Sequence, residues 1–173
     1  MKKLILIALL CTFTLSAQEN LTVSIGQDVK LALYENDHDL KPFTTNPTLK
    51  VRLNGMQQEL GYLTIGSFVE YADLSKNYRG YFVRYGVEGG YSFNQFELFR
   101  IPFEIRTLIG FGIINREFEV KGAGTYHFGS EIALNVFKWL NVTTDMYFLK
   151  RSDLENQKLQ PTVKLGLEFK IHL

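Results

Sequence analysis

The clearest pattern in this chain is a strict alternation of apolar and polar residues over its final segment, residues 162–173. Every second residue there is apolar, namely Val163, Leu165, Leu167, Phe169, Ile171 and Leu173. The residues between them are polar or small, namely Thr162, Lys164, Gly166, Glu168, Lys170 and His172. Because successive side chains of a β-strand point to opposite faces, this period of two predicts a strand with one apolar and one mostly charged face.

The same alternation recurs upstream and predicts eight strands in all. The first strand is expected over residues 21–34, and six more follow at about 49–54, 62–72, 81–93, 99–113, 126–136 and 140–148. Long polar loops are expected at 35–47, 73–79, 115–124 and 150–160, and short turns at 55–61, 94–95 and 137–139. Pro102 cannot donate to a ladder, so we expect a bulge or a strand start near it.

Eight amphipathic strands joined by alternating long and short connections predict an all-β fold, an antiparallel up-and-down transmembrane barrel. A closed barrel of strands pairs every backbone N–H and C=O group, which lipid would leave unsatisfied. No run of apolar residues is long enough for a membrane helix.

The first seventeen residues have the features of a secretory signal peptide. Lys2 and Lys3 precede an apolar run over residues 4–10, and we expect cleavage after Ala17, which leaves residues 18–173 as one barrel domain. The only cysteine, Cys11, would leave with the signal, so the mature chain would have no disulfide and no thiol chemistry. The formal net charge of +1 would fall to −1, which offers no basic surface for nucleic acid.

The chain's end also resembles a known signal. Residues 164–171 read polar-x-Gly-x-x-apolar-x-apolar, through Lys164, Gly166, Phe169 and Ile171. This is similar to the C-terminal sorting signal of outer-membrane β-barrels, although many of those end in Phe, whereas this chain ends in Leu173. With its eight strands, the mature chain resembles the small outer-membrane barrels of the OmpX and OmpA transmembrane-domain class. The resemblance implies a cell outer membrane location, lipid around the barrel, and recognition by the barrel-insertion machinery.

The polar face is expected to line the inside of the barrel. Eight strand glycines lie on the polar face and only Gly89 lies on the apolar one, and small residues suit the crowded concave side. Acidic and basic residues on the polar face are nearly balanced, as enclosed charges require. We therefore expect an interior polar network made of Asp28, Lys30, Lys50, Arg52, Glu70, Arg84, Glu88, Glu104, Arg106, His127, Glu131, Asp145, Lys164 and Glu168.

Aromatic residues near the predicted strand ends indicate the girdles that flank a membrane. They are Tyr62, Tyr81, Tyr91, Phe93, Phe96, Phe99, Phe137, Trp139 and Phe148. A soluble lipocalin-like barrel, which carries an apolar ligand and has its apolar face inside, is the alternative that these patterns leave open.

Candidate chemistry is sparse. Outer-membrane lipid A deacylases need His and Ser two residues apart on one strand face, but His127 is followed at that spacing by Gly129, and Ser130 lies on the opposite face. Loop residue His38 lies between Asp37 and Asp39, in a spacing that matches no metal-binding loop. We expect no catalytic, cofactor-binding or metal-binding residues.

The function expected from the sequence is a monomeric structural or adhesive scaffold, with no open pore, that presents its long loops to an extracellular partner. Two alternatives from other classes remain: a lipid-modifying outer-membrane enzyme and the soluble carrier.

Overall fold

The fold is a closed barrel. The computed structural model describes residues 18–30, 46–55, 57–73, 81–116, 122–152 and 159–172. In these residues the chain forms eight strands: β1 Gln18–Asp28, β2 Pro47–Gly55, β3 Gly61–Asp73, β4 Tyr81–Leu98, β5 Ile101–Arg116, β6 Ala123–Phe137, β7 Leu140–Arg151 and β8 Gln160–His172. Each strand pairs antiparallel with the next, and β8 pairs with β1. The predicted fold class is therefore confirmed.

The two ends of the barrel differ. The short-turn end carries the connections at 56–60, 99–100 and 138–139 together with the outer ends of β1 and β8. The long-loop end carries the connections at 29–46, 74–80, 117–122 and 152–159. The expected signal peptide, His38 and most of the long loops lie outside the described residues.

The turn predicted at residues 94–95 is wrong. Strand β4 continues to Leu98, and the turn is made by Phe99 and Arg100, whose φ angles of 51° and 69° are positive. A two-residue hairpin turn needs positive φ at both central residues, because only then does the turn match the twist of its two strands. Asn94 and Gln95 instead hold the neighbouring β2–β3 connection: Asn94 exchanges two amide hydrogen bonds with Gln57, and Gln95 donates to a carbonyl oxygen there.

Two further strand boundaries, the end of β1 and the start of β5, can be compared with the strands predicted from the sequence. Strand β1 ends at Asp28, which pairs with Lys164, so the predicted continuation through residues 29 and 30 is wrong, and residues 31–34 lie outside the described part. Pro102 is the second residue of β5, which confirms the predicted strand start. A register shift between Phe93 and Phe96 lies on the facing strand.

The barrel is apolar outside and polar inside. Neighbouring residues of β4 illustrate the division, since Val87 is 60% exposed and Glu88 only 4%. Large apolar side chains are exposed on all eight strands, as with Ile25, Leu49, Leu63, Val87, Ile109, Phe128, Met146 and Leu165. Such a surface is stable in lipid, where a closed barrel also pairs its backbone. The structure is therefore a transmembrane barrel of the outer membrane, and the alternative of a lipocalin-like carrier, which needs the opposite faces, is wrong. Among the described residues, no helix is long and apolar enough to span a membrane.

Aromatic rings cluster on the outer surface of the barrel near both of its ends. At the short-turn end, Trp139 stacks between Phe137 and Phe169, with ring centroids 5.7 and 6.1 Å away. At the long-loop end, Tyr71 and Tyr81 stack at 6.1 Å. Such girdles lie at membrane–water interfaces. Tyr62, which we also expected in a girdle, instead points inward and is buried.

Inward glycines allow neighbouring strands to approach each other closely. A Cβ atom on Gly90 would lie 1.8 Å from the carbonyl oxygen of Thr107, and one on Gly129 would lie 2.2 Å from that of Met146. Gly89, on the outer face, has only ordinary clearance of 3.5 Å. This difference agrees with the predicted placement of the glycines on the concave inner face, where the backbones of paired strands come close together.

We predict that Ile109→Arg strongly destabilises the barrel in lipid. Ile109 is half exposed in the middle of β5 and should face the centre of the bilayer, where an arginine costs roughly 2–4 kcal/mol. Ile101→Arg, on the same strand at its short-turn end, is the matched control and should cost about 1 kcal/mol or less. Reversible unfolding in vesicles, followed by the fluorescence of Trp139, measures both. Equal losses would contradict the assignment of the membrane midplane.

Candidate functional site

The centre of the barrel is occupied by two arginines and the carboxylates between them. Arg106 on β5 contacts Glu131 on β6 at 2.6 Å and Glu168 on β8 at 2.5 Å. Arg52 on β2 contacts the same Glu131 at 2.6 Å and Glu88 on β4 at 2.6 Å. All five side chains are almost completely buried. These charge-assisted contacts, of which Arg52–Glu131 and Arg106–Glu168 are bidentate, connect five strands across the lumen.

Glu104 extends the network towards the short-turn end. Its carboxylate accepts hydrogen bonds from Tyr62 at 2.5 Å, Ser92 at 3.2 Å, Arg106 at 2.7 Å and Lys170 at 2.8 Å. A buried carboxylate with this many donors is well compensated for the loss of water. Tyr62 and Lys170 were not among the predicted network residues, although the alternation of β8 had placed Lys170 on the polar face.

A second group extends the network towards the long-loop end. Glu70 accepts hydrogen bonds from Arg84 at 2.7 Å and pairs with Lys164 at 2.9 Å, and Lys164 also donates to Thr48. Nearer the centre, Lys50 bridges Glu131 at 3.3 Å and Asp145 at 2.5 Å. The described ion pairs thus join six carboxylates to six lysine and arginine side chains, so the enclosed charges nearly cancel.

His127 links the two halves of this network. Its Nε2 atom lies 3.3 Å from Glu88, and its Nδ1 atom lies 3.3 Å from a guanidinium nitrogen of Arg84. Since arginine can only donate, Nδ1 must accept, and the ring proton is on Nε2 facing Glu88. A Cβ atom on Gly110 would lie 2.2 Å from the imidazole ring, so the glycine makes room for it.

The described residues do not assemble a hydrolytic set around His127. Both ring nitrogens are engaged with charged partners, and the ring packs against Phe68 and Tyr147 with centroids 5.1 Å away in each case. Ser130 is exposed on the outer face, as the alternation predicted. Among the described residues, no serine lies on the inner face at the spacing that a lipid A deacylase needs, and the contacts of His127 hold the imidazole within the polar network.

Two basic residues of the predicted strands lie outside the lumen. Lys30 follows the end of β1 and is exposed, so its predicted place in the interior network is wrong. Arg100 is exposed in the β4–β5 turn, because the strand boundary differs from the predicted one. Asp28 is half-buried at the end of β1, opposite Lys164 in the register.

Apolar side chains fill the lumen near the long-loop end. Ala72, Phe82 and Ile114 form a buried cluster, and the guanidinium carbon of Arg151 lies 4.6 Å from the centre of the Phe82 ring. Polarity alone did not identify these residues as inward, because they are apolar side chains on the mostly polar face. The signal that could have identified them is register: each lies an even number of residues from a charged inward residue, as Ala72 does from Glu70.

The residues of the predicted sorting signal close the barrel. Lys164 and Gly166 point into the lumen, where a Cβ atom on Gly166 would lie 2.6 Å from the carbonyl oxygen of Ile25. Phe169 and Ile171 are exposed on the outer face and pair in register with Val23 and Leu21 of β1. The same short segment therefore supplies both an outer apolar edge and the final strand pairing.

Comparisons with known proteins agree with this architecture. No protein-family model matches the chain, and no curated protein sequence does. Among solved structures, it is similar to the Yersinia pestis outer membrane protein Ail in a phospholipid bilayer nanodisc, with a TM-score of 0.56 and 16% sequence identity over 89% of this chain and 100% of that one. A crystal structure of Ail, the attachment invasion locus protein of Yersinia pestis, gives a TM-score of 0.47 at 15% identity, over 90% of this chain and 99% of that one. At this identity the first likeness establishes the fold.

We predict that Arg106→Met destabilises the barrel by roughly 3–5 kcal/mol, because it leaves buried carboxylates without their partner. Adding Glu168→Gln should recover part of the loss, since it removes one of the uncompensated charges. Lys170→Met is the control: its side chain is 19% exposed at the barrel mouth, and Glu104 keeps Arg106, so about 1 kcal/mol or less is expected. Equilibrium unfolding in vesicles measures all three. Equal losses for the two single variants would contradict the central role of Arg106.

Proposed function

We propose that this protein is a closed outer-membrane scaffold, structural or adhesive in role, that presents its long connections to the cell exterior. The observation that carries the proposal is the filled lumen, in which Arg52, Arg106 and Glu131 span the bore through contacts of 2.6 Å. Side chains that already bind one another do not leave a path for solutes. Function then resides at the ends of the barrel and not in its interior.

The orientation of the barrel supports this proposal. Outer-membrane barrels place their short turns in the periplasm and their longer loops outside the cell. In this chain the long connections at 29–46, 74–80, 117–122 and 152–159 all leave from one end. They include charged residues such as Asp37, Lys76, Glu117 and Glu155, which offer polar contacts to a partner. Binding residues concentrate on loops that a rigid frame holds.

The proposed partners follow from the same surfaces. Lipid surrounds the apolar outer face, the insertion machinery binds the apolar edge of β8 during assembly, and an extracellular partner meets the long connections. We propose a monomer, because the outer face of every strand suits lipid. The engagement of His127 by Glu88 and Arg84 supports a role without catalysis.

We predict that, in an adhesive role, at least one of the long connections is individually required for attachment. In cells that produce the full chain, residues 36–43, 75–79, 118–121 or 153–158 are replaced singly by Gly/Ser segments of equal length. Attachment of intact cells to a panel of immobilised extracellular glycoproteins is then measured. At least one replacement should reduce attachment to that of cells without the protein, while Lys138→Ser, in a short turn, should not.

If all four replacement variants assemble and attach as well as the original, the adhesive role is contradicted. The structural role is tested separately by the sensitivity of cells to detergent. Loss of the protein should increase that sensitivity, and the four loop variants should restore resistance as well as the original does.

We also predict that the purified protein gives no steady ion conductance in planar bilayers, because paired side chains fill the bore. A double variant, Arg52→Ala with Arg106→Ala, removes the two largest central side chains and is the positive control for an opened lumen. Steady conductance by the unaltered protein would contradict the closed scaffold.

A further inference from the structure

The hairpin formed by β4 and β5 extends past β3 at the short-turn end of the barrel. Gly61, the first residue of β3, pairs with Phe93, but β4 continues through residues 94–98. Those residues add about 17 Å of strand, and they pair with the start of β5, where Leu98 faces Ile101. We call residues 94–103 the projecting hairpin.

The outer face of the projecting hairpin continues the lipid-facing surface of the barrel. Phe96 stacks with Phe103, with ring centroids 5.3 Å apart, and nearer the turn Leu98 and Ile101 are about half exposed. Ile101 and Phe103 alternate in phase with Ile109, which faces lipid on the same strand. The apolar surface therefore passes without a break from the membrane band to the turn, and this continuity indicates lipid as the medium around the tip.

The turn at the tip combines an exposed aromatic ring with an exposed guanidinium group. Phe99 is 91% exposed, more than any other large apolar residue of the described part. Arg100 is exposed and has no ion pair with another described residue. Both residues have positive φ, which costs backbone energy in any residue with a Cβ atom and suits Asn-Gly far better. Backbone strain of this kind is a basis for inferring that the two side chains act outside the fold.

A second cation lies at the neighbouring turn. Strand β5 pairs with β6 as far as Phe103 and Leu134, and the same register continued by three residues places Arg100 beside Phe137. Lys138 follows Phe137, is exposed, and has no ion pair within the described part of the chain. Two adjacent turns thus present a guanidinium and an ammonium group, each next to an aromatic ring.

The exposed acids near this tip face other directions. Glu97 alternates with the outward-facing Phe96 and Leu98, and its partner Pro102 lines the polar cavity at this end of the lumen. Glu59 is in the β2–β3 connection, on the side of the projecting hairpin that is away from β6. The outward side of the tip towards β6 therefore carries positive charge, which is complementary to phosphate.

We propose that the β4–β5 turn anchors the barrel in the periplasmic leaflet by binding an anionic phospholipid. Phe99 inserts at the boundary of headgroups and acyl chains, Arg100 binds the phosphate through its forked N–H groups, and Lys138 adds a second positive charge. Short turns lie on the periplasmic side of such barrels, which assigns the leaflet. This inference assigns one lipid class to one end of the barrel. It rests on the orientation in the membrane and not on the structural or adhesive role.

The experiment uses the full mature chain folded in nanodiscs of mixed phosphatidylcholine and phosphatidylglycerol. Native mass spectrometry measures which lipids stay bound when the disc is removed. Phosphatidylglycerol should be enriched over phosphatidylcholine, and Arg100→Gln and Lys138→Gln should each lower the enrichment roughly fivefold, because each removes one cation from an anionic site. Lys30→Gln, an exposed lysine at the long-loop end, is the matched control and should leave the enrichment unchanged.

A replacement of the turn separates lipid binding from a structural role. The double variant Phe99→Asn with Arg100→Gly carries the pair that this turn type favours. In detergent micelles it should unfold no more easily than the unaltered protein, because the backbone strain is relieved. In nanodiscs it should nevertheless lose the enrichment of phosphatidylglycerol. Fluorescence of Trp139 measures unfolding, and heat-modifiable gel mobility verifies that each variant is folded.

Several results would overturn the proposal. These are an unchanged enrichment in Arg100→Gln, an equal decrease with Lys30→Gln, and full enrichment in the double turn variant. Displacement of the bound lipid by inorganic phosphate alone would assign the tip to a free anion. A photoreactive phenylalanine analogue in place of Phe99 should cross-link to lipid in intact cells, and cross-linking to a periplasmic protein instead would assign the tip to that partner.

Discussion

The structure depends on one constraint, which is that charges enclosed in a narrow barrel must find partners there. Lipid requires the apolar face of every strand to lie outside, so the charged faces meet in the lumen. An unpaired buried charge costs several kcal/mol, and an eight-stranded lumen has little room for water to compensate it. The barrel meets this requirement with a continuous network that runs from Lys170 at the mouth to Lys164 near the long loops.

The network also occupies the centre of the lumen with side chains that are paired with one another. Arg52 and Arg106 come from opposite parts of the barrel and share Glu131, so a solute would have to separate buried ion pairs to pass. His127, a residue type that often acts as a general acid or base, is held between Glu88 and Arg84. The ion pairs that satisfy the buried charges also fill the centre of the barrel, which supports the proposal that function resides at the barrel ends.

The two ends are built differently. Near the long loops, Ala72, Phe82 and Ile114 fill the lumen with apolar side chains, which exclude water above the network. At the short-turn end the lumen widens into a polar cavity of about 610 Å³ whose lining includes Asn54, Glu104 and Lys170. This asymmetry supports the proposal that the two ends of the barrel differ in role, with the long connections presented on one side of the membrane.

The sequence by itself determined the strands, their number and their faces, because a period of two has the same meaning wherever the strand lies. It could not determine which acid meets which base: Arg106 and Glu168 are distant in the chain, and only barrel closure and register bring them within 2.5 Å. Boundaries also depended on tertiary structure. Asn94 and Gln95 have the composition of a turn but bind the neighbouring connection, and Lys30 follows a strand that ends at Asp28. The local sequence pattern determines to which face a side chain points. Ion-pair partners and strand ends are determined by contacts between segments that lie far apart in the sequence.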